Sequence, residues 1–215
     1  MNEIIFFIQV FGIFVFAIGA LKLGKSSLTA WVTIQALIAN LFVLKQITLF
    51  GFNVTASDAF AIGSLLGLNF LQEHYGEKEA KQTSWICFFY MLFFVFVSQL
   101  HLLYQPNIFD TAQSSFEHIL SPAPRLLFAS MSIFFIVQQI DIRIFTSLKK
   151  SFPNLGFTGR ITIALIITQF LDTILFGFVG LYGIVASVID ITIVSLAIKF
   201  IVIFCITPLL KLAKA

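Results

Sequence analysis

Apolar runs of bilayer-crossing length recur along this chain and leave few folds open. They cover 4–21, 28–50, 83–104, 125–147, 161–179 and 184–210. A helix needs about 20 residues to cross a hydrocarbon core of about 30 Å. Lipid offers no partner to a free backbone N–H or C=O, so such runs fold as helices, which satisfy those groups internally. Charged residues make up only 11% of the 215 residues, and mean hydropathy is +1.01. Soluble domains carry about 25% charge, so that class is excluded. The expected fold class is all-α, a polytopic helical membrane protein with one transmembrane domain over 1–215.

A seventh, shorter run at 59–71 carries Ala59, Gly63 and Gly67 at four-residue spacing. Small residues at that spacing let helix backbones approach closely. Short Gly-interrupted segments also occur as broken or re-entrant helices beside transport cavities. Both readings are open from sequence.

Counting seven spans gives a consistent orientation. Lys22 and Lys25 follow the first, Lys78 and Lys81 the third, Lys149, Lys150 and Arg160 the fifth, and Lys211 and Lys214 the seventh. The alternate loops carry Asp58, Asp110 and Glu117, with Arg125 as their one basic residue, at the start of a span. Basic loops stay cytoplasmic, so the amino terminus is expected outside and the carboxyl terminus in the cytoplasm of a cell (inner) membrane. The run 4–21 has an acidic start at Glu3 and is read as a retained span, not a signal peptide. The longest outer loop, 105–124, contains a polar stretch, 110–118, expected to form a short surface helix.

Charges inside the apolar runs are the candidates for function. An ionisable group at bilayer depth costs several kcal/mol (roughly 2.5–3.5 on insertion scales) and marks a ligand or ion path by default. Asp172 lies twelve residues after Arg160, roughly 18 Å along a helix and close to mid-membrane. Gln169 and Thr168, three and four residues back, share its face. The pattern Gln-x-x-Asp-x-x-x-Phe occurs at 138–145 and again at 169–176, so Gln138 and Asp141 form a similar pair on the preceding helix. These two consecutive antiparallel helices could bring their Gln/Asp faces to one site. Hydrogen bonding between helices, without a ligand, is the plainer alternative. Lys45 and Lys199 are candidate counter-cations, and Lys45 could instead snorkel to the outer interface. A carboxylate accepts two parallel N–H bonds and a side-chain amide both donates and accepts. That set suits a purine-like edge, with aromatic rings as stacking faces. Cys87 and Cys205 lie in apolar runs and read as small buried hydrophobes, with no disulfide or metal role expected. No glycine-rich phosphate loop, zinc-ligand spacing or nucleophile elbow is present, and His74, His101 and His118 are scattered. No enzyme activity, cofactor or nucleic-acid partner is therefore expected.

An ordered series of motifs resembles the queuosine precursor transporter family of the YhhQ, or vitamin uptake transporter, type. It consists of Asn40 with Lys45-Gln46-Ile47-Thr48-Leu49-Phe50-Gly51, Asn69-Phe70-Leu71-Gln72-Glu73-His74-Tyr75-Gly76 with Ala80 and Lys81, and Ser121-Pro122-Ala123-Pro124-Arg125 with Ala129-Ser130. Gln138-x-x-Asp141, Gln169-x-x-Asp172-Thr173, and Lys199 with Thr207-Pro208 complete it. The likeness spans about 30–214, and the extra run 4–21 resembles a longer, seven-span subgroup. It implies import of a 7-deazaguanine base such as queuine, destined for tRNA modification. It also implies a substrate-binding set of Asp172, Gln169, Asp141, Gln138, Asn69, Glu73, Lys45, Lys199 and Asn40. Asn69 stands where the family usually has Asp, which could alter substrate preference or proton coupling. A substrate-binding subunit of an energy-coupling-factor importer is the alternative, and a cargo-free structural protein is a third. The expected partners are the base and the lipid bilayer, with homo-oligomerisation open. The orientation is checked with a reporter active only in the cytoplasm: it should work fused after Ala215 and fail fused before Met1.

Overall fold

The computed structural model describes residues 1–43, 45–121, 124–181 and 188–214. Pro122 and Ala123 of the motif that opens the fourth long run, and residues 184–187 of the last run, lie outside the described residues. The described chain is helical apart from one small hairpin. It comprises α1 (Asn2–Leu23), α2 (Lys25–Phe42), β1 (Gln46–Leu49), β2 (Phe52–Thr55), α3 (Asp58–Tyr75), α4 (Glu77–Leu102), α5 (Gln113–Leu120), α6 (Pro124–Ser151), α7 (Phe157–Phe176) and α8 (Val188–Ile206). A π-helical turn at Gly177–Leu181 extends α7, and a 3₁₀ stretch at Thr207–Lys214 follows α8.

Among the described residues, five segments are long and apolar enough to cross a membrane: Asn2–Leu23, Glu77–Leu102, Phe128–Ser151, Phe157–Val179 and Thr192–Lys211. Phe89, Phe93, Phe96, Phe128, Phe170 and Phe204 point outward from them, as lipid-facing side chains do. The helices α2 and α3 have 18 residues each. They are less apolar because they carry the polar groups of the interior.

The run 28–50 is expected as one span, but its helix ends at Phe42. The remainder turns back as a β-hairpin, β1 antiparallel to β2, with Gln46 opposite Thr55 and Leu49 opposite Phe52. Phe50 (φ 52°) and Gly51 (φ 84°) form its two-residue tip, the mirror-image turn that suits a hairpin's twist. Leu49 and Val54 are buried beneath it. The start of α1 holds it, with Asn2 Nδ2 donating to the Thr48 carbonyl at 3.0 Å and the Phe50 N–H donating to Glu3 Oε1 at 3.3 Å. A single glycine joins α1 to α2 and another joins α3 to α4. Gly24 (φ 99°) and Gly76 (φ 94°) occupy a left-handed region that side-chain-bearing residues avoid. The polar loop helix expected within 110–118 is α5, shifted to Gln113–Leu120.

The short run 59–71 is an unbroken part of α3. Thirteen of the eighteen residues of this helix are buried, and it packs against α1, α2, α4, α6, α7 and α8. Its glycines serve close packing. A Cβ on Gly67 would lie 2.7 Å from Trp31 Cδ1 and 3.0 Å from Val32 Cγ2, and one on Gly63 would lie 2.8 Å from Ile13 Cγ2. Closeness brings hydrogen bonds across the helices. Trp31 Nε1 donates to the Gly63 carbonyl at 3.1 Å, and Ser64 Oγ donates to the Val32 carbonyl at 3.0 Å. Gly67→Ala should cost about 1–3 kcal/mol through overpacking, read as a lower thermal midpoint of the purified protein.

Candidate functional site

Lys199 sits in the middle of α8, a helix otherwise almost wholly apolar, and is 4% exposed. An ammonium this deep requires partners. Its Nζ donates to Asp172 Oδ2 at 2.7 Å and to Thr173 Oγ1 at 3.0 Å, both from the last turns of α7. A second carboxylate, Asp58 at the first turn of α3, lies 4.0 Å away, beyond hydrogen-bond reach. Asp58 is held by the Ser195 hydroxyl, which lies 3.3 Å from Oδ1 and 3.2 Å from Oδ2. Ser195 and Lys199 are four residues apart and share one face of α8.

These groups line a cavity of about 120 Å³ between α2, α3, α6, α7 and α8, bordered by Val54 and Thr55 of the hairpin. At roughly 10–15 Å³ per water-sized sphere, it admits several waters or a small ligand. Asn40 forms another wall, its Oδ1 accepting from Ser130 Oγ at 2.7 Å and its Nδ2 donating to the Ala36 carbonyl at 2.9 Å. Phe134 and Phe176 give it aromatic surface, and Gly177 begins the π-helical turn beside it. The arrangement offers a carboxylate already oriented by a cation, an amide, hydroxyls and ring faces. Those groups can bind a polar planar molecule, and they include no metal-ligand cluster among the described residues.

The two Gln/Asp pairs do not share the wall of this cavity. Of Asp172, Gln169, Asp141 and Gln138, Asp172 alone lines the cavity. One helix turn separates the faces: Asp172 points to α8, whereas Asp141 points to α3 and is fully buried. Asn69 Nδ2 donates to Asp141 Oδ2 at 2.9 Å, and the Thr168 hydroxyl lies 3.2 Å from Asp141 Oδ1. Gln138 accepts from Ser84 on α4 at 2.6 Å. Gln169 is buried, and its Oε1 has no partner among the described residues.

Glu73 and Lys45 lie elsewhere too. Glu73, in the last turn of α3, pairs with Arg160 at 2.7 Å and Lys149 at 3.2 Å, at the end of the bundle that carries the basic loops. Beside it Gln72 Nε2 donates to the Ile142 carbonyl at 2.8 Å and to Thr146 Oγ1 at 2.7 Å. Lys45 is exposed, because α2 stops before it and the chain turns into the hairpin. It lines a neighbouring cavity with Asn2, Gln9 and Asp58.

Sequence reasoning passed over Asp58, reading it as an outer-loop acid, and passed over Ser195, Phe134 and Phe176. A signal existed for α8. Thr192, Ser195 and Lys199 recur at steps of three and four on an apolar helix, a polar stripe facing the cavity.

A multi-pass helical membrane protein with a partly open pocket among its helices, lined by both apolar and charged side chains, is the class this architecture defines. Comparison with known proteins narrows it. The model of a putative vitamin uptake transporter family matches residues 55–213. A protein of Bacillus subtilis (strain 168) named probable queuosine precursor transporter is 30% identical over 169 residues, covering 75% of this chain and 71% of that relative. No solved structure matches. The chain belongs to the putative vitamin uptake transporter family. The matched stretch contains Asp58, Ser130, Asp172, Ser195 and Lys199, and Asn40 precedes it.

Asn69→Ala would leave the buried Asp141 carboxyl with one shared hydroxyl. The expected cost is about 1–3 kcal/mol, seen as a lowered thermal midpoint in detergent. An unchanged midpoint would show that the Asn69–Asp141 contact is not structural.

Proposed function

We propose that this protein imports a queuosine precursor, a 7-deazaguanine base, and that the cavity around Lys199 and Asp172 is where the base binds. The observation that carries this reading is the pair of buried Lys199 and half-buried Asp172 on the wall of a ligand-sized cavity inside an apolar bundle. A polar group at such depth is costly unless it serves a path or a site. In this reading Asp172 accepts the ring N–H and amino group of the base, which point the same way, while Lys199, itself held by the Thr173 hydroxyl, fixes the carboxylate's rotamer. Asn40 meets a second polar edge with its amide, and Phe134 and Phe176 close on the ring faces. The name of the Bacillus subtilis relative supports the substrate class.

The remaining residues of the expected set take other roles here. Asp141, Asn69 and Gln138 hydrogen-bond across α3, α4, α6 and α7 behind the wall, Gln169 is buried beside them on α7, and Lys45 lies out at the hairpin. Glu73 with Arg160 and Lys149 latches the basic end while the cavity lies toward the hairpin. We read α2 and α3 as spans, which makes seven and places the hairpin and amino terminus outside, the basic ends and carboxyl terminus in the cytoplasm. The bound base would then enter from the hairpin side, and release requires the Glu73 latch to part.

Asp172→Asn keeps the shape but removes the charge that orients both Lys199 and the ligand. With the variant at wild-type abundance, uptake of a labelled 7-deazaguanine should fall by more than about tenfold, the cost of losing a charge-assisted bond to a buried group. The assay is rescue of tRNA modification in a strain that cannot make the precursor and lacks energy-coupling-factor partners. Undiminished rescue by Asp172→Asn removes this residue from the site. Failure of the wild-type chain to act alone favours a partner-dependent importer.

A further inference from the structure

The cavity holds an imbalance of charge that Lys199 does not resolve. Among the described side chains that line it, Asp58 and Asp172 are acidic and Lys199 is the one base. Two of the three ammonium hydrogens have partners in Asp172 and Thr173, at 2.7 and 3.0 Å. Asp58 stands 4.0 Å from the ammonium and receives no hydrogen bond from it. A carboxylate has about four acceptor positions. Asp58 uses one, because Ser195 has a single hydroxyl proton to share between the two oxygens. The residue is 8% exposed, so whatever fills its remaining acceptor positions must come through the cavities it lines. Lys45 lines the adjoining cavity with Asp58 but is exposed and makes no ion pair with it among the described contacts.

A buried, underused carboxylate facing a cavity that already contains a paired acid and base suits a ligand that brings its own cation. We propose that Asp58 is a specificity-determining residue that selects ligands carrying a protonated amine, with its free oxygens accepting the ammonium N–H groups. This rests on the reading of the cavity as the base-binding site and deepens it. Asp172 from α7 and Asp58 from α3 both approach Lys199, at 2.7 and 4.0 Å, and both line the cavity, so one carboxylate would take the ring edge and the other the charged substituent. Bringing in one positive charge also balances the site.

The test compares two probes with the same bicycle: 7-aminomethyl-7-deazaguanine, which carries a protonated amine, and 7-cyano-7-deazaguanine, which carries none. Uptake of each is measured in cells expressing the full-length chain, Asp58→Asn or Asp58→Glu, with membrane abundance matched. Asp58→Asn should lower uptake of the aminomethyl compound on the order of thirtyfold, as loss of a buried charged partner does, and change the cyano compound by less than about threefold. Asp58→Glu should keep the preference for the amine. An equal fall for both probes, or an unchanged ratio, would overturn the assignment while leaving the proposed substrate class intact. Wild-type uptake of neither probe would reject the substrate class, and this assignment with it. A second readout needs no variant: in purified wild-type protein the aminomethyl compound should raise the unfolding temperature more than the cyano compound. Equal protection by both would also refute the role of Asp58.

Discussion

The enclosure of α3 is the constraint on which the rest of this structure depends. A helix surrounded by six others must keep its neighbours close and leave no polar atom stranded. Lipid supplies no hydrophobic drive between helices, so contact has to come from packing and hydrogen bonds. Gly63 and Gly67 meet the first demand by letting α1 and α2 approach to distances that a single added carbon would violate. Trp31, Ser64, Asn69 and Gln72 meet most of the second, each donating to a group on another helix or, for Asn69, also to its own, while Asn69 Oδ1 and Gln72 Oε1 have no partner among the described residues. The same helix sets the geometry of function: its first residue, Asp58, faces the cavity, and Glu73, fifteen residues on by sequence number, joins the ion pairs at the opposite end.

The acids inside the bundle divide by what they touch. Asp172 has a cation and a cavity. Asp141 has an amide and a hydroxyl and no cavity. Glu73 has two cations and sits between the ends of α3, α6 and α7. Burial alone therefore does not identify a ligand site here. Adjacent space separates these acids from one another, and it is Asp58 and the half-buried Asp172 that border the cavity. The π-helical turn after Asp172 belongs to the same picture. Such turns break the regular ladder, often beside functional sites, and this one begins at Gly177 on the cavity wall.

The family match begins at residue 55, after α1, α2 and most of the hairpin. Yet α1 is knitted into the fold: it packs on α2 and α3, and its first residues clasp the hairpin tip. Asn40, from α2, completes the cavity wall through its bond to Ser130. The matched region thus contains the charged triad, while its surroundings on the hairpin side come partly from the segment before it.

The sequence by itself determined the helical membrane class and marked Asp172 and Lys199 as charges deep in apolar runs, because apolar length and the cost of a buried charge are local properties of the chain. It also exposed the four-residue spacing of small residues in 59–71, though not whether that helix was continuous. It misjudged the end of the run 28–50, since Lys45 and the Phe50-Gly51 turn lie in residues apolar enough to pass for helix. The tertiary structure alone decided which acids share a space. The two Gln-x-x-Asp pairs look equivalent in a string of letters, yet the packing of α6 and α7 sets Asp141 against Asn69 of α3 and Asp172 against Lys199 of α8. It alone brought Asp58 across 114 residues of chain, from 58 to 172, into the same cavity. Long-range packing sets that distance, and no local pattern encodes it.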